Sequence, residues 1–348
     1  MTARDAWTYL DCAATHPLRP AVRAAMQRAA GAPPPSAVAA RAAVAAALDL
    51  EPASVSLTAG GSAANNLALQ GASGHVISQP TEHPSVLEAL EALRARGCEV
   101  ELLPVDARGA VDPEVLRRSL RADTTLVALM HANNETGCMQ PIPRVAALLA
   151  QHPARLHVDA VQTAPWLDVR PSVLGADTVA LSLHKLGGPR GVGLLLGERP
   201  STHLDAPLDA EGLAGIVAAL AERQPAEAAA VRASRDALEQ ALRARIADLE
   251  VHAAGEPRLP GVLCVSAPGV NGDALVIELE GQGIAVATGA ACASGDPAPS
   301  HVLRALGVSP ELARASVRFS LGAPLGPVEL AHVAGSYAAA VERMRSLR

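Results

Sequence analysis

The sequence has little aromatic character: one Phe, two Trp and two Tyr among 348 residues. So few rings cannot build the stacking platforms that bind single-stranded nucleic acid. Positive charge is not in excess either. The formal net charge is −6, which removes the basic footprint of a nucleic-acid-binding surface. No apolar run reaches the length of a membrane span, and the first residues lack a signal-peptide pattern. Cysteine is scarce: Cys12, Cys98, Cys138, Cys264 and Cys292 form no C-x-x-C pair. An odd number at these spacings suggests neither a disulfide framework nor a zinc site. A reducing cytoplasm is the expected compartment. Lysine is as scarce as phenylalanine. Lys185 is the only one, although arginine is plentiful.

What is present is apolar residue, at 49% of the chain, enough for a sizeable core and for two domains. Short apolar runs end in polar or glycine-rich segments. Residues 55–57 run into Thr58-Ala59-Gly60-Gly61-Ser62, and 75–78 into Thr81-Glu82-His83. Residues 126–130 run into His131-Ala132-Asn133-Asn134-Glu135, 156–158 into Asp159, and 178–183 into His184-Lys185. Helical stretches lie between them, such as 86–96 with Val86, Leu87, Leu90 and Leu93 on one stripe. This alternation predicts an α/β fold with a mostly parallel sheet covered on both faces. Ligands of such sheets bind beyond the carboxyl ends of the strands, where the chemically versatile residues of this chain fall. A long helix is expected over 221–250, begun or broken near Pro225. Beyond it, a strand over 261–266, a helix over 272–280 and a strand over 284–287 suggest a smaller α/β domain.

Each candidate residue has a chemical reading and a plainer one. Lys185 at a strand end is either a surface lysine or an amine whose charged form burial disfavours, which helps imine formation. Being the only lysine favours the second reading. Asp159 is either a turn or cap residue or a carboxylate that pairs with a pyridinium nitrogen. Gln162 lies three residues on, within reach of a phenolic oxygen. Gly61 and Ser62 open a helix whose N–H groups suit an anion, and Ser182 and His184 can add donors. His83 is either structural or able to stack on a ring and move a proton. Asn134 and Arg318 can hold a carboxylate, Arg318 in bidentate geometry. Cys292, among Thr288-Gly289-Ala290-Ala291 and Ala293-Ser294-Gly295-Asp296, is read as a loop thiol. The other four cysteines are read as small buried apolar residues.

Taken together, these runs resemble the cysteine desulfurases of the class V aminotransferase family. The matching segments are Tyr9-Leu10-Asp11, Ala13-Ala14-Thr15, Thr81-Glu82-His83, 130–135, 157–162, Ser182-Leu183-His184-Lys185, the Cys292 segment and 316–322. The resemblance implies a fold type I architecture, with a large pyridoxal-phosphate-binding domain over 15–246. A small domain would comprise 1–14 and 247–348 and carry Cys292. It implies pyridoxal 5'-phosphate as cofactor and Lys185 as the lysine that holds it. His83 would stack on the ring, Asp159 meet the pyridine nitrogen and Gln162 the phenolic oxygen. Gly61, Ser62, Ser182 and His184 would meet the phosphate. Asn134 and Arg318 would bind the carboxylate of L-cysteine, and Cys292 would take its sulfur as a persulfide, leaving alanine. A homodimer is implied, with a protein sulfur acceptor in iron–sulfur assembly or tRNA thiolation. Ala210 falls where relatives place a threonine that reaches the partner's phosphate, so the phosphate cup is expected from one subunit. Two rivals stay open: a selenocysteine lyase or other lyase or aminotransferase of the same fold, and a non-catalytic paralogue acting as a binding partner.

Overall fold

The computed structural model describes residues 7–198, 205–222, 225–255, 257–289 and 298–347. Its central element is a seven-stranded sheet. In chain order the strands are β2 (Val55–Thr58), β3 (His75–Ser78), β4 (Glu99–Leu102), β5 (Thr124–Met130), β6 (Arg155–Asp159), β7 (Thr178–Ser182) and β8 (Gly193–Gly197), after a short β1 (Thr8–Tyr9) that lies elsewhere. Their spatial order is β2-β8-β7-β6-β5-β3-β4. All pairings are parallel except those of β8, which runs antiparallel to β7 and β2. The five runs read from the sequence are all strands. The reading missed β4, a half-exposed edge strand, and β8, whose Leu194-Leu195-Leu196 run is too short to assign by period.

Both faces of the sheet are buried. Val158, Val179, Leu181, Leu194 and Leu196 point into one core with Val44, Ile142 and Ile216 from covering helices. Ala128, Ala180 and Leu195 point into the other, with Ala64, Ala68, Val86 and Leu90. Such two-sided burial explains why β5 to β8 read as continuous apolar runs rather than alternating ones. Helix Gly61–Leu69 and helix Pro84–Ala95 cover the second face.

A second core gathers the C-terminal elements. Here β9 (Glu250–Val251), β10 (Val262–Ser266) and β12 (Ser316–Ser320) form an antiparallel sheet in the order β12-β10-β9, while β11 (Ile284–Ala285) pairs in parallel with β1. Leu10 enters this core beside Leu263, Phe319 and Tyr337. The helix expected over 221–250, begun near Pro225, is Ala228–Arg243; a 3-10 turn at Pro225–Glu227 separates it from a preceding helix, Ala210–Ala221. Proline lacks the N–H that a continuous helix needs. The second helix ends at Arg243 because the chain must turn back into β9. Its Val231, Leu238 and Leu242 belong to the C-terminal core. Helix Gly272–Glu280 spans the residues expected; β10 starts one residue late, and β11 is two residues followed by an isolated bridge from Ala287 to Arg318. No helix among the described residues is long and apolar enough to cross a membrane.

Candidate active site

The register of the sheet brings the site together. Met130 pairs with Asp159, and Asp159 with Ala180. The carboxyl ends of β5, β6 and β7 therefore lie side by side, and the residues that follow them share one opening. Thr58 at the end of β2 pairs with Gly193. A Cβ at Gly193 would lie 2.3 Å from the Gly60 carbonyl carbon, so only glycine lets β8 approach the loop after β2. Gly60 itself holds φ at 142°, which side chains other than glycine's rarely adopt. That turn starts helix Gly61–Leu69, whose first backbone bond is from Ala64 N–H to Gly60 O. The N–H groups of Gly61, Ser62 and Ala63 precede it and face outward from the helix end, a ready anion site.

These elements enclose a cavity of about 440 Å³, within the range of small-molecule and cofactor sites. Gly61, Ser62, His83, Asn134, Asp159, Gln162, Ser182, His184 and Lys185 all line it. Lys185 Nζ donates to Ala13 O at 2.5 Å and Ala14 O at 2.6 Å. Gln162 Nε2 also donates to Ala13 O, at 3.0 Å. Residues 13–14 are held there because β1 pairs with β11 and the Asp11–Ser320 bridge ties the following residues to β12. The buried Asp159 carboxylate accepts from Val161 N–H at 3.0 Å and Asn65 Nδ2 at 2.7 Å. His83 caps helix Pro84–Ala95 through its Nδ1, which accepts from Ser85 N–H at 3.1 Å. Burial lowers the His83 pKa, opposed by Asp159 and reinforced by Lys185 and His301. His184 Nδ1 meets Thr15 Oγ1 at 3.1 Å, and burial, with Lys185 and Arg190, pushes its pKa down to about 4. It is neutral at pH 7 and would serve an anion as a hydrogen-bond donor.

Arg318 is not part of the cavity wall. On β12, fully buried, it donates to Asn134 O at 3.0 Å and pairs with Asp11 at 2.7 Å. Its guanidinium backs the site through Asn134, and Asp11 is an acceptor that any substrate carboxylate would have to displace. Cys292 lies outside the described residues. Of the other cysteines, burial pushes Cys12 and Cys264 up to about 12 and Cys138 up to about 11, which leaves them poor nucleophiles near neutrality. Ala210 begins helix Ala210–Ala221, and Asp209 caps it through Gly212 N–H.

The structure adds residues that the sequence reading missed. Asn65 and Ser85 also line the cavity, and Asn65 touches Asp159 directly. Asn65 sits at the fifth position of a short helix, and its signal was the Asn65-Asn66 pair in an otherwise apolar segment. The carbonyls of Ala13 and Ala14 carry no sequence signal, since every residue has one. Glu135 is buried and accepts from Ser300 Oγ at 2.5 Å; burial raises it to about 7 against the pull of Arg318.

The class-V aminotransferase profile matches residues 8–213 and 208–324. The chain belongs to the class-V aminotransferase family. This is a family of pyridoxal-phosphate enzymes, and the lysine, aspartate and helix N-terminus of the cavity are a donor set that fits the aldehyde, pyridine nitrogen and phosphate of that cofactor. Among class-V relatives, a cysteine desulfurase IscS of Anaeromyxobacter sp. (strain Fw109-5) is 38% identical over 316 residues, 84% of this chain and 77% of that protein. A cysteine desulfurase IscS of Dictyoglomus turgidum is 33% identical over 97% of this chain and 95% of its own length. Among solved class-V structures, a NifS-like protein superposes with a TM-score of 0.85 at 27% identity, covering 98% of this chain and all of that one, 100%.

Proposed function

We propose that the protein is a pyridoxal-phosphate-dependent cysteine desulfurase that converts L-cysteine to L-alanine and takes the sulfur onto Cys292 as a persulfide. The observation that carries this reading is Lys185. The only lysine of the chain projects into a cavity it shares with Asp159, His83 and an open helix N-terminus. Relatives named cysteine desulfurase, aligned over most of their length, support the choice of substrate.

Bound through Lys185, pyridoxal phosphate supplies an electron sink next to the substrate α-carbon. The residues of the chain do the rest. Asp159, already accepting two N–H bonds, offers negative charge to the pyridine nitrogen. Gly61, Ser62, Ser182 and His184 would hold the phosphate, and Gln162, now bonded to Ala13 O, would meet the phenolic oxygen. His83 would pack over the ring. Asn134 and Arg318 orient the substrate carboxylate, with Arg318 released from Asp11. The Cys292 thiolate attacks the substrate sulfur; the carbon–sulfur bond breaks, its electron pair stays with the substrate carbon, and a proton delivered there completes alanine.

By the same reading, residues 15–246 make up the cofactor-bearing domain, although helix Ala228–Arg243 packs into the C-terminal core, and 1–14 with 247–348 form the smaller domain that bears Cys292. The enzyme works as a homodimer in the cytoplasm and passes its sulfur to a protein acceptor for iron–sulfur assembly or tRNA thiolation. The test is direct. Purified protein supplied with L-cysteine should release alanine in step with sulfide or persulfide. Cys292→Ala should keep its cofactor and lose persulfide formation. Alanine produced by that variant at the wild-type rate would refute the assignment of Cys292, and no alanine from the intact protein would refute the desulfurase reading.

A further inference from the structure

Behind the cavity wall lies a buried chain of polar side chains that converges on Asn65. Asn65, Ser85, His157 and Thr178 are each at most 5% exposed. Asn65 Nδ2 reaches Asp159 Oδ2 at 2.7 Å and Ser85 Oγ at 3.1 Å. Asn65 Oδ1 meets His157 Nε2 at 3.1 Å, and His157 Nδ1 meets Thr178 Oγ1 at 2.9 Å. On the other branch, Ser85 Oγ meets His83 Nδ1 at 2.9 Å, and Ser85 N–H points at the same nitrogen from 3.1 Å.

The protons in this network can be placed by elimination. A carboxylate only accepts, so Asn65 turns its NH₂ group to Asp159 and Ser85 and leaves Oδ1 to His157. An amide oxygen accepts, so His157 carries its proton on Nε2. Burial holds His157 neutral, with a pKa lowered to about 3, so its Nδ1 is bare and accepts from the Thr178 hydroxyl. On the His83 branch, Ser85 Oγ accepts from Asn65 and sends its own proton to His83 Nδ1. That nitrogen also receives Ser85 N–H, so it bears no proton. Neutral His83 must then carry its proton on Nε2.

We propose that Asn65 is a positioning residue that orders two polar groups of the cofactor site at once: Asp159 as a fixed acceptor, and, through Ser85, His83 as the Nε2–H tautomer. His157 and Thr178 lock the orientation of Asn65 from behind. His83 therefore meets the ring and substrate as an N–H donor. Taking a second proton on Nδ1 would break its helix cap and the Ser85 bond together. The proposal rests on the assignment of Asp159 and His83 to the cofactor, but its main readout needs no cofactor.

The experiment is long-range ¹H–¹⁵N correlation of the histidine rings in the full-length protein, with and without pyridoxal phosphate. His83→Gln and His157→Gln supply the assignments. Both rings are expected to show a protonated Nε2 and a bare Nδ1 even without cofactor. A proton on Nδ1 of His157 would mean that Asn65 is reversed, and would overturn the proposal; a proton on Nδ1 of His83 would overturn its second branch. Asn65→Leu should weaken pyridoxal phosphate binding tenfold or more in a titration, and binding within threefold of wild type would count decisively against it. Ser85→Ala removes one of two donors to His83 and spares the bond to Asp159. It should raise the His83 titration midpoint. An unmoved midpoint would sever the link from Asn65 to His83. If cofactor reduced with borohydride fails to map to Lys185 while the tautomers are as described, the site assignment fails and the network stands.

Discussion

Lys185 is held by two backbone carbonyls, and an ammonium with such partners is a poor nucleophile until it sheds a proton. The same carbonyls fix where Nζ sits before any cofactor arrives. Lys185→Ala should therefore abolish covalent attachment. After reconstitution and borohydride reduction, wild-type peptides should carry the cofactor mass at Lys185, and the variant should carry none on any side chain. Arg318 makes a different prediction. It is buried and paired with Asp11, whose side chain is 20% exposed. Breaking such a pair by removing one partner costs roughly 3 kcal/mol, so Arg318→Ala should lower the melting temperature and raise KM for L-cysteine together. Asp11→Asn separates the two effects. It keeps the guanidinium and weakens its competitor, so KM should fall; a rise in KM would show that Arg318 does not hold the substrate. The identities of Lys185, Asp159, His83 and His184 as cavity residues were legible in the sequence because each follows an apolar run. Asn65 was not, since it lies inside a helix and its role depends on β6 lying behind that helix.

The helix Gly61–Leu69 is placed by its first turn. Gly60 holds φ at 142°, a conformation that strains any L side chain although the space beside it is open, and a Cβ added to Gly61 would meet Val161 Cγ2 at 3.0 Å and Ser182 Cβ at 3.1 Å. Gly60→Ala should cost about 1–3 kcal/mol and weaken cofactor binding, because strain there moves the open N–H groups. Thermal unfolding and a cofactor titration of the variant check this; unchanged values in both would mean that the turn adapts. At this scale the inner parallel strands were legible because burial on both faces leaves an apolar run that ends at the first polar residue. The direction of β8 was not. Three leucines between glycines say only that the segment is buried, and its antiparallel course follows from the tight return after Lys185. The break expected near Pro225 is present, but the helix after it stops at Arg243, short of 250, because the pairing of Glu250–Val251 with β10 draws the chain away.

For the whole molecule, buried titratable groups set how stability varies with pH. His131, His184 and His252 are lowered to about 4 and His157 to about 3 by burial. Their unfolded forms bind protons first, so the stability they permit is complete above pH ~6.5 and is lost as pH falls below it. Glu82 and Glu135 behave oppositely. Burial raises them to about 8 and about 7, so the folded state holds protons that the unfolded state has released. Their contribution is complete below pH ~4.5 and is lost as pH rises towards 8. Four histidines outweigh two carboxyls on the acid side, and between pH ~6.5 and ~8 the two carboxyls dominate. The melting temperature should peak near pH 6.5 and decline on both sides, and Glu82→Gln should flatten the alkaline decline. A melting temperature that keeps climbing to pH 8 would contradict this account.

The sequence by itself determined the layered α/β plan, the single lysine available for an imine, and the polar residues that punctuate each strand. These are local properties: apolar period, strand length and residue type are written along the chain. The tertiary structure decided which of those residues meet. Met130, Asp159 and Ala180 stand in register only because β5, β6 and β7 are neighbours, and that adjacency is set by packing helices on both faces of the sheet. Arg318 was drawn in behind Asn134 because β12 runs beside the N-terminal segment, bridged at Asp11 and Ser320, which places Asp11 within reach of the buried guanidinium. Asn65 became the centre of a network for the same reason. A buried amide must satisfy every donor and acceptor it carries, and only folding brings Asp159, Ser85 and His157 within its reach.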